Sequence, residues 1–554
     1  MKQMLHPFFL RFWIALAFAL LHTSAYAQRF KVYYDHLRFP APLHLSAREL
    51  APYMDGQEIA LLGEVKEPSP NFASQAFVLK LNLLGAETGH FSYQSMFNTS
   101  TNGLYAAGLA TDNNGNLYIG GAAIQNGSVG AGSERVITSL ARDGRQRWSQ
   151  MQPNYAFESV AIDDDGNLLG ISGPYGNSLP NTQIMISRYD SEGNFIQAAT
   201  VSTYTSDQPV KIITLPAGRG FLALGNLDTA GQTRPFVMQL DNDMNPVWAN
   251  QYELFRSGFQ ARDIAWSSNG LIGVTGDVAT GSGSKPFLLI LDARGEVQAY
   301  QSYEWRDIGT GRATAIAPAV GISGAFDGFV IGGDYGSASE RRTFISSHNR
   351  NGDINWAQTY SVFSAAEYTY SETVSDLLYL PSERAFIATG DFTRFRNGGV
   401  NHRAVWVARA DIANGETASQ GESCSEELRM RALAGIVRAA DGVTLDPGGS
   451  SFGISFVPGD LWFDPLYCSY DETRREQGEE EGRPAPGIRI PSEMIGQTLE
   501  AEVFDISGRV IWAGAFVAEN ESFKTPSTLA AGVYAIRIMQ DGEQVAKGRV
   551  AVLK

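Results

Sequence analysis

Two aspartate-rich segments offer the most direct chemistry in this chain. Asp112-Asn-Asn-Gly-Asn116 and Asp163-Asp-Asp-Gly-Asn167 begin as a calcium loop begins, with oxygen ligands closely spaced. Such a loop needs a bidentate acid at its twelfth position. Here those positions are Ala123 and Pro174. Both segments also fall just ahead of an apolar run, at one phase of a repeat. They read as hairpin turns, with calcium as the lesser alternative and no other cofactor expected. Gly449-Ser-Ser451-Phe-Gly453 has the spacing of a nucleophile elbow. That device needs a strand before it and a helix after it. Asp446-Pro-Gly-Gly precedes it and the strand-like Ile454–Val457 follows, so Ser451 is not assigned as a nucleophile. The histidines beyond residue 27 are His36, His44, His90, His348 and His402, and none forms an HxxxH or HExxH pair. His348 stands where other copies of the repeat carry Leu, which favours packing over ligation. The carboxylate pairs Asp163/Asp164 and Glu426/Glu427 lie in loop or linker. The glycine-serine loops 127–133 and 281–284 lack the GK[ST] that a phosphate cradle requires. No catalytic, cofactor-binding or metal residue is assigned.

The elements that would position any such chemistry are repeated. Apolar runs close on glycine at Ile59–Gly63, Leu117–Gly121, Leu168–Gly173, Phe221–Gly225, Leu271–Gly276, Phe329–Gly333 and Phe386–Gly390. A second apolar strand follows each, then a turn, then a strand often ending on Trp or Tyr. The turn opens on Asn82, Asp190, Asp241, Asp292, Asn349 and Asp411, with Ala141 the exception. An Asp or Asn there can bond its own turn backbone, and a glycine three residues on takes positive φ. Four strands per unit at a period near fifty-five residues, with no helical periodicity, predict a β-propeller. The expected fold is all-β: a seven-bladed propeller, six or eight being possible, followed by a small C-terminal β-sandwich. The strand Arg29–Tyr34 is the candidate to complete the last blade. Trp148, Trp248 and Trp356 share one phase and predict packing between blades, whereas Trp266, Trp305 and Trp406 fall off it, toward a loop surface. The repeat resembles blades of secreted bacterial propellers with PQQ-like or related tandem repeats. The likeness implies fold only, because the axial acids and calcium site of a quinone enzyme find no counterpart.

Of 554 residues, the first 27 read as a secretory signal peptide. Lys2 and Arg11 are basic, Phe12–Leu21 is apolar, and Ser24-Ala25-Tyr26-Ala27 offers a small-residue cleavage site. No later run is long and apolar enough for a transmembrane helix. Without Lys2 and Arg11 the 43 basic residues fall to 41 against 59 acidic ones, a formal charge of −18. That balance argues against nucleic-acid and anionic-membrane partners. Cys424 and Cys468 are the only cysteines. In an exported chain they read as one disulfide closing an extension over 421–470, a loop worth roughly 4 kcal/mol by chain entropy.

An acidic Pro/Gly linker over 471–487 (DETRREQGEEEGR and the prolines after it) separates the propeller, 28–420, from a small β domain, 488–554. Val503, Asp505, Gly508, Arg509 and Val510, then Leu529, Gly532, Tyr534, Ile536 and Ile538, then Lys547, Val550, Val552 and Lys554 follow one another in order. This succession looks like the type A C-terminal sorting domain of type IX secretion cargo. Arg489-Ile-Pro491 stands where that family commonly opens with a Tyr-Pro-Asn-Pro-like stretch. The resemblance implies the type IX secretion machinery as a partner, and the outer surface of a Gram-negative bacterium, or the medium, as the destination. The expected function is a non-enzymatic binding, adhesion or scaffold module for an unknown protein or glycan. The alternatives are a secreted hydrolase or lyase with a channel-centred site acting on polysaccharide or peptide, and a structural cell-envelope component.

Overall fold

A computed structural model describes residues 30–35, 44–411 apart from several loops, short strands between 418 and 467, and 496–552 apart from 505–509, 518–531 and 541–542. Residues 1–27, where a signal peptide is expected, the expected linker 471–487 and both cysteines lie outside the described residues. The chain divides into two compact units, Met1–Tyr470 and Asp471–Lys554.

The first unit is a β-propeller. Among the described residues its strands form seven consecutive antiparallel units of four. Blade 1 runs through His44–Tyr53, Glu58–Lys66, Gln75–Asn82 and Glu87–Ser95, and the same plan recurs through blade 6, which ends at Ile354–Thr359. Blade 7 takes three strands from Thr369–Leu380, Ala385–Arg396 and Gly399–Asp411. Its fourth comes from the other end of the chain, because Phe30–Asp35 pairs with Val405–Arg409. The candidate closing strand therefore does close the last blade.

The core is divided as a propeller core must be: apolar clusters sit between neighbouring blades. Leu45, Leu61 and Phe77 of blade 1 pack with Ile387 and Val407 of blade 7. Leu222 and Val237 of blade 4 pack with Phe259 and Leu289 of blade 5. Strands such as Glu58–Lys66, Phe221–Thr229 and Gly283–Leu291 carry continuous apolar runs because both sheet faces are covered.

The turns work as their residues dictate. Asp190 Oδ1 accepts from the N–H groups of Glu192 and Asn194, and Asp241, Asp292 and Asn349 repeat the pattern. Asp112 and Asp163 do the same in turns between first and second strands. Their carboxylates serve the turn, as the hairpin reading required. The phased tryptophans bridge blades. Trp148 Nε1 donates to Ser191 O at 2.9 Å, Trp248 Nε1 to Ala293 O at 3.1 Å, and Trp356 stacks on Phe386. Trp406 departs from expectation: it is fully buried, and its indole donates to Thr373 O. It fills the space beside Gly390, so its phase marks a core position and not a loop surface.

The segment after the propeller has an order of its own. Glu426–Glu427 pairs with the outermost strand of blade 6, Met430–Ala434 with blade 5, Val437–Ala440 with blade 4, and Thr444–Pro447 with blade 3. Phe452–Gly453 then meets blade 2, Phe456–Gly459 blade 1, and Asp464–Tyr467 the Phe30–Asp35 strand of blade 7. The chain circles the ring in reverse, adding a fifth strand to every blade. Sheet twist of about 20–25° per strand turns the fifth strand roughly across the first, so it can run along the perimeter. It also caps edges that would otherwise expose unpaired backbone.

Among the described residues of the second unit, Thr498–Phe504, Val510–Val517, Gly532–Gln540 and Glu543–Val552 form one four-stranded antiparallel sheet. Leu499, Ala501, Val503 and Ile538 are its buried side chains.

Candidate functional site

Every first strand carries a register shift at one phase: 47/49, 106/108, 157/159, 209/211, 261/263, 313/315 and 374/376. A bulge places two residues against one and re-aims the side chains beside it. The closing glycines stand opposite these bulges. A Cβ on Gly121 would lie 1.8 Å from Tyr105 O, and one on Gly390 1.7 Å from Thr373 O. The glycines that define the repeat are thus demanded by the bulges. Blade 3 is the exception. Ser172, not Gly173, faces Phe157 there, so the run Leu168–Gly173 ends one residue past the phase.

The residues just past the bulges include Glu49, Lys211, Asp263 and Asp376, of blades 1, 4, 5 and 7. Lys211 Nζ lies 2.8 Å from Glu49 Oε1, 3.5 Å from Asp263 Oδ1 and 3.9 Å from Asp376 Oδ1. Blades that are not neighbours can meet only at the axis, so first strands line the channel and these four groups form its hub. The acids also stitch blade to blade. Asp376 Oδ2 accepts from Leu50 N at 2.7 Å, Glu49 Oε2 from Leu109 N at 2.6 Å, and Asp263 Oδ2 from Ile316 N at 2.8 Å. Their remaining oxygens accept from Lys211, from Ile264 N or from Leu377 N. A second tier repeats the device on the residue after the closing glycine. Asp391, Glu64 and Asn226 accept from Ala47 N, Ala106 N and Ala261 N of the next blade.

One lysine cannot neutralise three carboxylates. Burial raises Glu49 to about 7 and Asp263 to about 6, against the pull of Lys211, and raises Asp376 as well. Lys211 stays charged, held up by the three acids despite its burial. The hub is a saturated ionic bolt whose groups are committed to one another and to backbone.

Each first strand enters from the connection before it and leaves by a tight turn. On the entering side of the bulges, buried side chains such as Leu45, Leu104 and Phe259 alternate with partly buried ones such as Ser46, Tyr105 and Gln260. Tyr105 donates to Glu158 Oε2 at 3.4 Å, the Arg48 guanidinium lies 5.0 Å from the Tyr105 ring centre, and Arg48 bonds Glu64 at 2.6 Å. Burial raises Glu158 to about 7, against the pull of Arg48 and the Tyr105 bond. Further round, Gln260 meets Gln208 and Arg262; Arg262 pairs with Asp277, and Arg312 with Asp334. This is the channel mouth.

Sequence reading found none of these residues by role. The signal was present: the closing glycine is followed by Glu64, Asn226, Asp277, Asp334 and Asp391 in five of the repeats. His348 is packed, as expected. It is fully buried, bonded to Ser346 and against Tyr303, and burial lowers it to about 3. Ser451, Cys424 and Cys468 lie outside the described residues, as do Asp505, Gly508 and Arg509. Val503 is buried in its sheet, and Gly532, Tyr534 and Lys547 stand on the strands Gly532–Gln540 and Glu543–Val552. Among the described residues no group of three His, Cys, Asp or Glu has metal-binding geometry. No helix among them is long and apolar enough to cross a membrane.

Comparison with solved structures returns, among others, two propeller domains and a sialidase. The Dos1 propeller matches at 10% identity over 69% of this chain and 98% of its own, with a TM-score of 0.38. The NanB sialidase of Streptococcus pneumoniae matches at 10% identity, 66% and 68% coverage and a TM-score of 0.38. The β-propeller domain of the Trilobed protease of Pyrococcus furiosus matches at 11% identity, 65% and 95% coverage and a TM-score of 0.33. The likeness extends to the fold alone. No protein-family model and no curated protein matches the chain.

Proposed function

We propose that the chain is an exported binding module: a rigid propeller that presents a ligand site at its channel mouth, with a C-terminal sorting unit. The carrying observation is the saturation of the hub. Convergent acids in a channel are what a hydrolase would need, but here each hub acid is engaged by Lys211 and by backbone N–H groups, leaving none to attack or protonate a substrate. Some of the connections that feed the mouth are longer than the opposite turns, while others are only one to five residues. Residues 96–102, 175–183 and 360–368 bridge outer to inner, or second to third, strands, whereas the turns at the other end span about five residues. Loops on a rigid scaffold are where recognition concentrates.

Export rests on the signal peptide and on the order of sorting-type residues, and type IX secretion is the proposed route to the outer surface or the medium. Removing residues 488–554 is expected to keep the propeller in the periplasm; normal appearance outside the cell contradicts the route. Pull-down and glycan-array screening of the mature chain tests the binding reading, and capture of neither protein nor glycan contradicts it. A second reading keeps an enzyme at the mouth. Glu158, titrating near neutrality beside the Tyr105 hydroxyl, has the proton affinity of a general acid. Turnover of a captured ligand, abolished by Glu158→Gln, would establish it.

A further inference from the structure

We infer that the channel mouth is a subsite for an uncharged carbohydrate, with Glu158 and Tyr105 accepting and donating hydrogen bonds to ligand hydroxyls. The inference rests on the binding reading above and names its ligand class.

Charge comes first. Each mouth arginine is already paired within its own blade: Arg48 with Glu64 at 2.6 Å, Arg262 with Asp277 at 2.5 Å, and Arg312 with Asp334 at 2.9 Å. Asp334 also meets Arg341 at 3.4 Å. These guanidiniums are oriented donors without a net field to draw an anion. The mature chain, at a formal −18, repels anionic polymers further. A hydrophobic peptide anchor is equally ill matched, because the partly buried mouth positions carry amide, hydroxyl, carboxyl and guanidinium groups.

The chemistry left is planar and hydrogen-bonding. Tyr105, Glu158, Gln208 and Gln260 come from the first strands of blades 2, 3, 4 and 5, so they face one axis from four successive blades. A polyol presents hydroxyls in several directions, each both donor and acceptor. Carboxyl, amide and phenol groups held on different strands match that demand.

Glu158 differs from every hub acid. Its one hydrogen bond among the described residues is the long one from Tyr105, 3.4 Å, at the outer limit of a useful bond. Arg48 has its Nε buried without a partner while its NH2 is fixed on Glu64. The incompletely bonded Glu158 carboxyl, with the partly exposed Arg48 guanidinium of blade 1 acting on it, leaves bonding capacity for a guest. The positions are rigid because they stand on strands pinned by bulges and cross-blade bonds, so ordering them on binding is inexpensive.

The test uses the full mature chain, residues 28–554. A panel of neutral oligosaccharides (glucans, mannans, xylans and galactans) is titrated by calorimetry beside uronic-acid and sulfated ones. Binding of a neutral oligosaccharide is expected, weakened at least tenfold by Glu158→Ala and by Tyr105→Phe, with Glu158→Gln retaining affinity within about threefold. Unfolding midpoints of the three variants should stay near wild type, which separates loss of contact from loss of fold. Binding only to acidic oligosaccharides overturns the ligand class. Neutral-glycan binding indifferent to Glu158→Ala and Tyr105→Phe overturns the site. If no oligosaccharide binds but a protein is captured by the same chain, the carbohydrate inference fails while the binding module stands. If nothing binds, both fall.

Discussion

The hub and the mouth are built from the same seven strands, a few residues apart, yet they handle charge in opposite ways. At the hub Glu49, Asp263 and Asp376 are buried and fully bonded around Lys211. At the mouth Glu158 is half-buried and bonded once. The bulge separates the two regimes: Glu49, Lys211, Asp263 and Asp376 just past it meet across the axis, whereas Tyr105, Glu158 and Gln260 at or before it are only partly buried. Carboxyl content alone is therefore a poor guide to function. What distinguishes a bolt from a site is whether the oxygens have acceptor capacity left.

Breaking the bolt should have the largest effect. Lys211→Met removes the cation and strands three buried carboxylates, and is expected to destabilise the propeller by about 4 kcal/mol. Chemical unfolding of the mature chain reads this directly; a loss below about 1 kcal/mol would mean that the hub is incidental. Next comes the bulge itself. Gly276→Ala would set a Cβ 1.9 Å from Gln260 O, and an overpacking loss of about 2–3 kcal/mol should follow. A neutral outcome would show that the strand can relax away from its partner.

The pH response sharpens the contrast. Glu49 and Asp263 have folded values raised, to about 7 and about 6. Between pH 5 and 8 the folded hub holds protons that the unfolded chain releases, so this contribution is complete below the unfolded carboxylate range and is lost as pH rises through the folded values. Thermal midpoints should fall from pH 5 to pH 8, and Glu49→Gln should flatten that fall. A profile that rises over this window, or one that Glu49→Gln leaves unchanged, refutes the assignment. The smallest expected effect is at the mouth, where Glu158→Gln disturbs one long hydrogen bond and no ion pair and should move stability by less than about 1 kcal/mol.

The architecture was readable in the sequence because a propeller repeats its constraints. Glycine opposite six of the seven bulges, Asx at most of the third-to-fourth-strand turns, and Trp148, Trp248 and Trp356 against the next blade recur at one period. Each is a local need, so each leaves a local mark. Glu49 and Asp376 are far apart in the chain and meet only when the ring closes, so no spacing could announce them. The mouth arginines were hidden differently. Their partners follow the closing glycines at Glu64, Asp277 and Asp334, in plain view, but glycine dominated the pattern. Ser172 shows the limit of phase reading, since Gly173 beside it imitates the expected residue one position late.

The separation of bolt from site is the central claim, and one experiment reaches it without a ligand. Urea unfolding of Lys211→Met and Glu158→Ala, side by side with wild type at pH 7, gives two midpoints. The account predicts a large fall for Lys211→Met and a midpoint near wild type for Glu158→Ala. A large fall for Glu158→Ala with Lys211→Met unchanged would contradict it.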